Sequence, residues 1–322
     1  MTHLSDYTYL DRLVCNILAL IWILYRIQSQ VGAREALSIR RIRKGELRPL
    51  ITILLLVSNL LAVIYDVIVA GIKYREGFAV VGSAVVSKPK EFWTAEDLRI
   101  LPISDSIIDF SFAFMTSALF LFQATWNFIV QSYIKRPFMN SMEFHLYLVY
   151  SSLSFVTYAL LQFLYLSDKT QSTIIPQMFF CSEGFVLVAF TIINHVRLNR
   201  TLQEIEKTSR ARKRLEVCMK LNVYLGIFIS MMAVPLSIIN IDMLTVVVIA
   251  KNKLASDILM KFFNLGFPGT FIFLCMALYP SYEHTACGCS GNRRYTARQC
   301  VDSAETSDPS MTGSKGTKLE QV

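Results

Sequence analysis

From Ser104 to Lys135 the chain runs for 32 residues with only three formal charges, Asp105, Asp109 and Lys135. At about 1.5 Å per residue such a helix exceeds the roughly 30 Å hydrocarbon core of a bilayer. Asp109, Ala113, Thr116, Phe120, Gln123 and Asn127 recur at spacings of three and four, so they share one helical face, with Asp105 one turn before. The opposite face reads Ile107, Phe114, Ala118, Phe122 and Ile129. Lipid does not accept a stripe of carboxylates, hydroxyls and amides, so the stretch is expected to be surrounded by other protein.

The rest of the chain repeats the theme. Of 322 residues, 53% are hydrophobic and 17% charged, and the mean hydropathy is +0.44. The apolar residues fall in long blocks, which marks an all-α, polytopic membrane protein. Residues 1–282 read as one membrane domain and residues 283–322, rich in Ser, Thr and Gly, as a disordered tail. The net charge of +8 reads as topological, so no nucleic-acid partner is expected. The seven cysteines lie in apolar blocks or near the C-terminus, which argues against a disulfide framework. Met1 to Arg12 carries Asp6 and Asp11 and no basic n-region, so no cleavable signal peptide is expected.

In order, the expected spans are Leu13 to Tyr25, Pro49 to Lys73, Ser104 to Lys135, His145 to Leu166, Pro176 to Arg197, Leu221 to about Val248, and Asp257 to Tyr282. Pro176 suits a first helical turn. With the N-terminus outside, the cytoplasmic pieces hold 22 of the 32 Lys and Arg residues. The positive-inside rule therefore predicts an outer N-terminus and a cytoplasmic C-terminus. The sequon Asn199-Arg200-Thr201 is then cytoplasmic, and glycosylation there contradicts the assignment.

Five span carboxylates, Asp66, Asp105, Asp109, Glu183 and Asp242, all fall toward the outer side. Buried acids gather around partners or water. With Thr116 they are the candidate ligand-binding residues, an acidic outer vestibule for a cationic or strongly hydrogen-bonding ligand. More modest roles compete: Asp105 as a helix cap, and Asp242 paired with Lys251 or Lys253. Pro235, and Gly266 with Pro268 and Gly269, mark hinges or static kinks in spans six and seven. Lys135, Arg136, Arg210, Arg212, Lys213 and Arg214 form a basic inner surface suited to an acidic partner or anionic lipid, or serving topology alone. Cys287 and Cys289, just past the last span, are candidates for lipidation. The four histidines form no metal-ligand cluster and no P-loop is present, so neither an enzyme nor an ATP-driven pump is expected, nor any cofactor.

Seven spans, an outer N-terminus, a basic link between spans five and six, a proline-kinked span six and a Cys-containing Ser/Thr tail resemble the G-protein-coupled-receptor superfamily. The likeness covers Leu13 to about Cys300. Its local motifs differ: Tyr133-Ile134-Lys135-Arg136-Pro137 stands at the inner end of span three, and Leu278-Tyr279-Pro280-Ser281-Tyr282 at the end of span seven. The resemblance implies a plasma-membrane receptor that passes an extracellular ligand signal to a heterotrimeric G protein or similar partner. The competing readings are a secondary transporter of protons or a cationic solute, and a structural membrane protein.

Overall fold

The computed structural model describes residues 6–43, 46–81, 84–88, 92–133, 142–165, 171–204, 210–245, 247–249 and 252–279. These belong to one compact unit, Met1–Ser281. The expected tail, with Cys287 and Cys289, lies outside the described residues.

Helix follows from the apolar blocks, because a buried or lipid-embedded backbone must close its own hydrogen bonds. The helices are α1 (Asp6–Gln30), α2 (Ala33–Ala36), α3 (Ile39–Ile42), α4 (Leu47–Glu76), α5 (Ala95–Tyr133), α6 (Met142–Leu164), α7 (Gln171–Glu204), α8 (Arg210–Leu244) and α9 (Lys253–Leu278). Between α4 and α5 a hairpin pairs β1 (Phe78–Val81) antiparallel with β2 (Ala84–Ser87). Six helices, α4 to α9, are long and apolar enough to cross a membrane. The 25-residue α1 is the remaining long helix.

Helix ends differ from the hydropathy limits. Helix α5 begins at Ala95, so Asp105 is an interior residue, not a cap. Helix α7 begins at Gln171, which places Pro176 inside it, beyond the first turn. The mixed-charge link from Tyr74 to Arg99 is structured by polar contacts. Glu76 accepts from Lys88 Nζ at 2.6 Å and from the Thr94 amide at 2.6 Å. Trp93 Nε1 donates to Lys88 O at 2.8 Å, and Arg75 pairs with Asp97.

Helix α1 packs on α4 and α9; α4 packs on α5; α5 packs on α6 and α7; α7 packs on α8, and α8 on α9. The long helices other than α6 thus form a closed ring, and α6 lies against α5 and α7. Every residue of 111–124 is buried except the half-buried Phe114, so α5 is enclosed on both of its sequence faces. Phe112 of α5 stacks on Phe180 of α7 at 4.1 Å and meets Phe267 of α9 edge-on at 6.1 Å. The α8–α9 contact depends on Gly266, since a Cβ there would lie 2.8 Å from the Met232 nitrogen. Backbone approach of this kind is how membrane helices gain dispersion contacts without a hydrophobic drive between them.

Candidate functional site

Cross-helix bonds fix the depth of each acid. Ser58 Oγ donates to Ser111 O at 2.7 Å and Arg75 pairs with Asp97, so α4 runs antiparallel to α5 and Asp66 is level with about residue 103. Thr173 bonds Asp105 at 3.2 Å and Gln123 bonds Thr191 at 3.1 Å, so α5 and α7 run parallel at constant offset. Glu183 is then level with about residue 115. A Cβ on Gly184 of α7 would sit 2.8 Å from that of Ala233 of α8, which puts Asp242 level with about residue 175. Asp66, Asp105, Asp109 and Asp242 therefore lie toward the hairpin end of the bundle, whereas Glu183 lies near the middle of α5.

Three of them share one interface. Glu183 accepts from Ser154 Oγ and, at 3.1 Å, from Tyr158 Oη, both on α6. Thr116 lies beside this carboxylate, its hydroxyl also bonded to Phe112 O at 3.0 Å. Asp109 accepts from Gln162 Nε2, one turn along α6 from Tyr158. Asp105 stands within electrostatic reach of Asp109 and bonds Thr173. Asp109 is 4% exposed and Glu183 is 2% exposed. Their partners among the described residues are amides and hydroxyls.

Asp66 belongs elsewhere. Arg12 of α1 grips it through Nε at 2.7 Å and Nη2 at 2.5 Å, and Asn16 donates to its second oxygen at 2.8 Å. The rings of Tyr9, Tyr65 and Phe263 stand 5.2–6.0 Å from the guanidinium carbon. Asp242 does local work: its Oδ1 accepts from the Val248 amide at 3.0 Å, closing the turn after α8. The structure thus gathers Asp109, Thr116 and Glu183 along α6, with Asp105 between them and the Asp66 cluster, since Tyr65 lies within electrostatic reach of both Asp105 and Asp66.

Two polar arrangements join residues that the sequence reading named only separately or passed over. On α4, Thr52, Asn59, Asp66 and Lys73 stand seven apart and are all buried, forming a seam against α1 and α9. Thr52 shares a 2.7 Å bond with Tyr279 Oη, and Arg26 donates to Tyr279 O at 2.9 Å. Neither polar atom of the Asn59 amide has a hydrogen-bond partner among the described residues. The heptad spacing was the available signal. Farther from the hairpin, Asn194 donates to Gln123 at 2.6 Å, and Asn222 of α8 donates to Thr191 O at 2.9 Å. This amide group ties α5, α7 and α8.

Of the basic residues, Lys135 and Arg136 lie outside the described residues. Arg210, Lys213 and Arg214 are on the first turns of α8. Arg212 donates to Leu202 O at 3.1 Å and pairs with Glu216 at 3.1 Å, joining the end of α7 to the start of α8. A cleft of about 330 Å³ between α7 and α8 is lined by Cys181, Phe185, Val234, Ser237 and neighbouring residues, and none of the five carboxylates lines it. No group of three or more metal-ligating side chains occurs among the described residues. Compared with protein-family models, curated proteins and solved structures, the chain matches none.

Proposed function

We propose that the chain is a seven-helix membrane receptor with an outer N-terminus and a cytoplasmic C-terminus, α1 being the first span. Its ligand is cationic or rich in hydrogen-bond donors and engages Asp105, Asp109, Thr116 and Glu183. The supporting observation is that Asp109 and Glu183 meet one face of α6 with no counter-charge among the described residues. An ionised carboxylate in that setting is expensive, so the site favours a partner that brings positive charge or a proton. Ligand binding shifts the packing of α8 and α9, which carry Pro235 and Pro268. A bias arises only from different affinities for the two packings. The basic inner ends, Lys135 and Arg136 with the Arg210 to Arg214 run, then meet a G protein or similar acidic partner at the plasma membrane. Nucleotide exchange on a co-reconstituted G protein, screened against tissue and culture extracts, tests this. Asp109→Asn and Glu183→Gln are expected to weaken the response at least tenfold with expression unchanged; an unaltered response removes the site.

The α4 seam favours a second reading, a proton- or cation-coupled transporter. Thr52 to Lys73 spans about 32 Å at 1.5 Å per residue, roughly the bilayer core. Solute or proton flux in proteoliposomes without any partner protein, lost in Asp66→Asn, decides for transport over reception.

A further inference from the structure

The link between α1 and α4 carries a surface that neither reading uses. After α1 the chain turns at Gly32, whose φ of +85° suits glycine, and enters α2 and α3. The link is folded down on the bundle: α2 packs on α1 and α4, and α3 packs on α4. Ala36 is 2% exposed, and the Gln28 side chain accepts from the Ala33 amide at 3.1 Å. Arg41 is occupied internally, 3.8 Å from Glu35 and 3.7 Å from Glu46.

What remains points outward. Arg34, Arg40 and Arg43 are exposed, and so are two aliphatic side chains, Leu37 at 39% and Ile39 at 64%. Residues 31–46 hold five Lys and Arg against two acids. The segment is tethered close to the bilayer boundary, because α4, a membrane-length helix, begins at Leu47, four residues after Arg43. Aliphatic chains among guanidinium groups, packed against the start of a span, fit one medium: chains in the acyl boundary, guanidinium forks on phosphate oxygens.

We infer that residues 33–43 form an interfacial docking surface for anionic phospholipid, with Arg34, Arg40 and Arg43 binding headgroups and Leu37 and Ile39 anchoring the segment. The inference needs only that α4 crosses a bilayer, so it stands or falls apart from ligand reception. Each basic residue near an anionic surface contributes roughly a fivefold preference, so three give on the order of a hundredfold before losses to imperfect geometry.

The full chain is reconstituted in phosphatidylcholine nanodiscs containing photoactivatable phosphatidylserine or, in parallel, the matching phosphatidylcholine probe. Cross-links are mapped by mass spectrometry, with a thermal melt as the folding control. The expected result is labelling of 33–43 at least about tenfold stronger by the serine lipid. That preference falls to near parity in R34Q/R40Q/R43Q, and in the unaltered chain as NaCl rises from about 0.05 to 0.5 M. Leu37→Ser with Ile39→Ser is expected to lower labelling by both probes. Equal labelling of the unaltered chain, a preference insensitive to both salt and the triple substitution, or its abolition by soluble polyglutamate, which marks an acidic protein partner, overturns the inference. Undiminished labelling of the Leu37/Ile39 variant overturns the anchoring.

Discussion

At the α1–α4–α9 interface a buried acid, Asp66, faces a guanidinium. At the α5–α6–α7 interface two buried acids, Asp109 and Glu183, face amides and hydroxyls. The first arrangement cancels its charges, and aromatic rings flank the cation, although the buried Asn16 Oδ1 has no hydrogen-bond partner among the described residues. It fixes α1 in place but offers a newcomer nothing without breaking the pair. The second holds the same chemistry without a cation, so it can take one. Under the proposed receptor reading the first region is architecture and the second recognition, although both arise from carboxylates that look alike in the sequence.

The sharpest way to break this contrast is to remove Arg12. Arg12→Met leaves Asp66 buried and uncompensated, with an expected loss of about 3–5 kcal/mol in a detergent thermal or denaturant melt. Arg12→Met combined with Asp66→Leu is expected to recover most of that loss; a double variant as unstable as the single one would show that the ion pair is not the cause. Gly266→Val tests the packing beside the ring of helices. Overpacking against the Met232 backbone is expected to cost about 1–3 kcal/mol in the same melt. Tyr158→Phe removes one donor from Glu183 and is expected to cost about 0.6 kcal/mol, the mean for hydrogen bonds between membrane helices. Comparable in size, Glu183→Gln keeps the side-chain shape and one accepting oxygen, and its NH2 can donate to a hydroxyl that turns around, so its melt should shift by less than about 1 kcal/mol while the ligand response falls. A Glu183→Gln loss as large as that of Arg12→Met would make the two regions equivalent and erase the assignment.

Much of this was legible in residue order. The stripe is buried at Asp109, Ala113, Thr116, Phe120 and Gln123, as its periodicity predicts, and the side chain of Asn127, its last member, lies outside the described residues. The presumed opposite face was not separable, because Ala118 and Phe122 are buried too. Periodicity identifies a polar stripe, but it does not say whether the other face meets lipid or another helix. Helix ends were misplaced because hydropathy marks the apolar slab, whereas α5 continues to Ala95 through Asp97, which Arg75 pairs. Arg12 escaped because it stands just before the first apolar block and its partner is 54 residues away. Nothing local encodes such a pairing. The heptad on α4 implied only that some other helix must supply polar groups.

The enclosure of α5 bears on how the molecule is made. A segment whose inner stretch touches protein on every side has no settled place in lipid before its neighbours arrive. Helices α6 and α7, which supply the donors for its acids, are synthesised after it. Until those helices emerge, Asp105 and Asp109 lack the donors that hold them in the finished bundle. These two carboxylates of α5 thus take their hydrogen bonds from parts of the chain made after it.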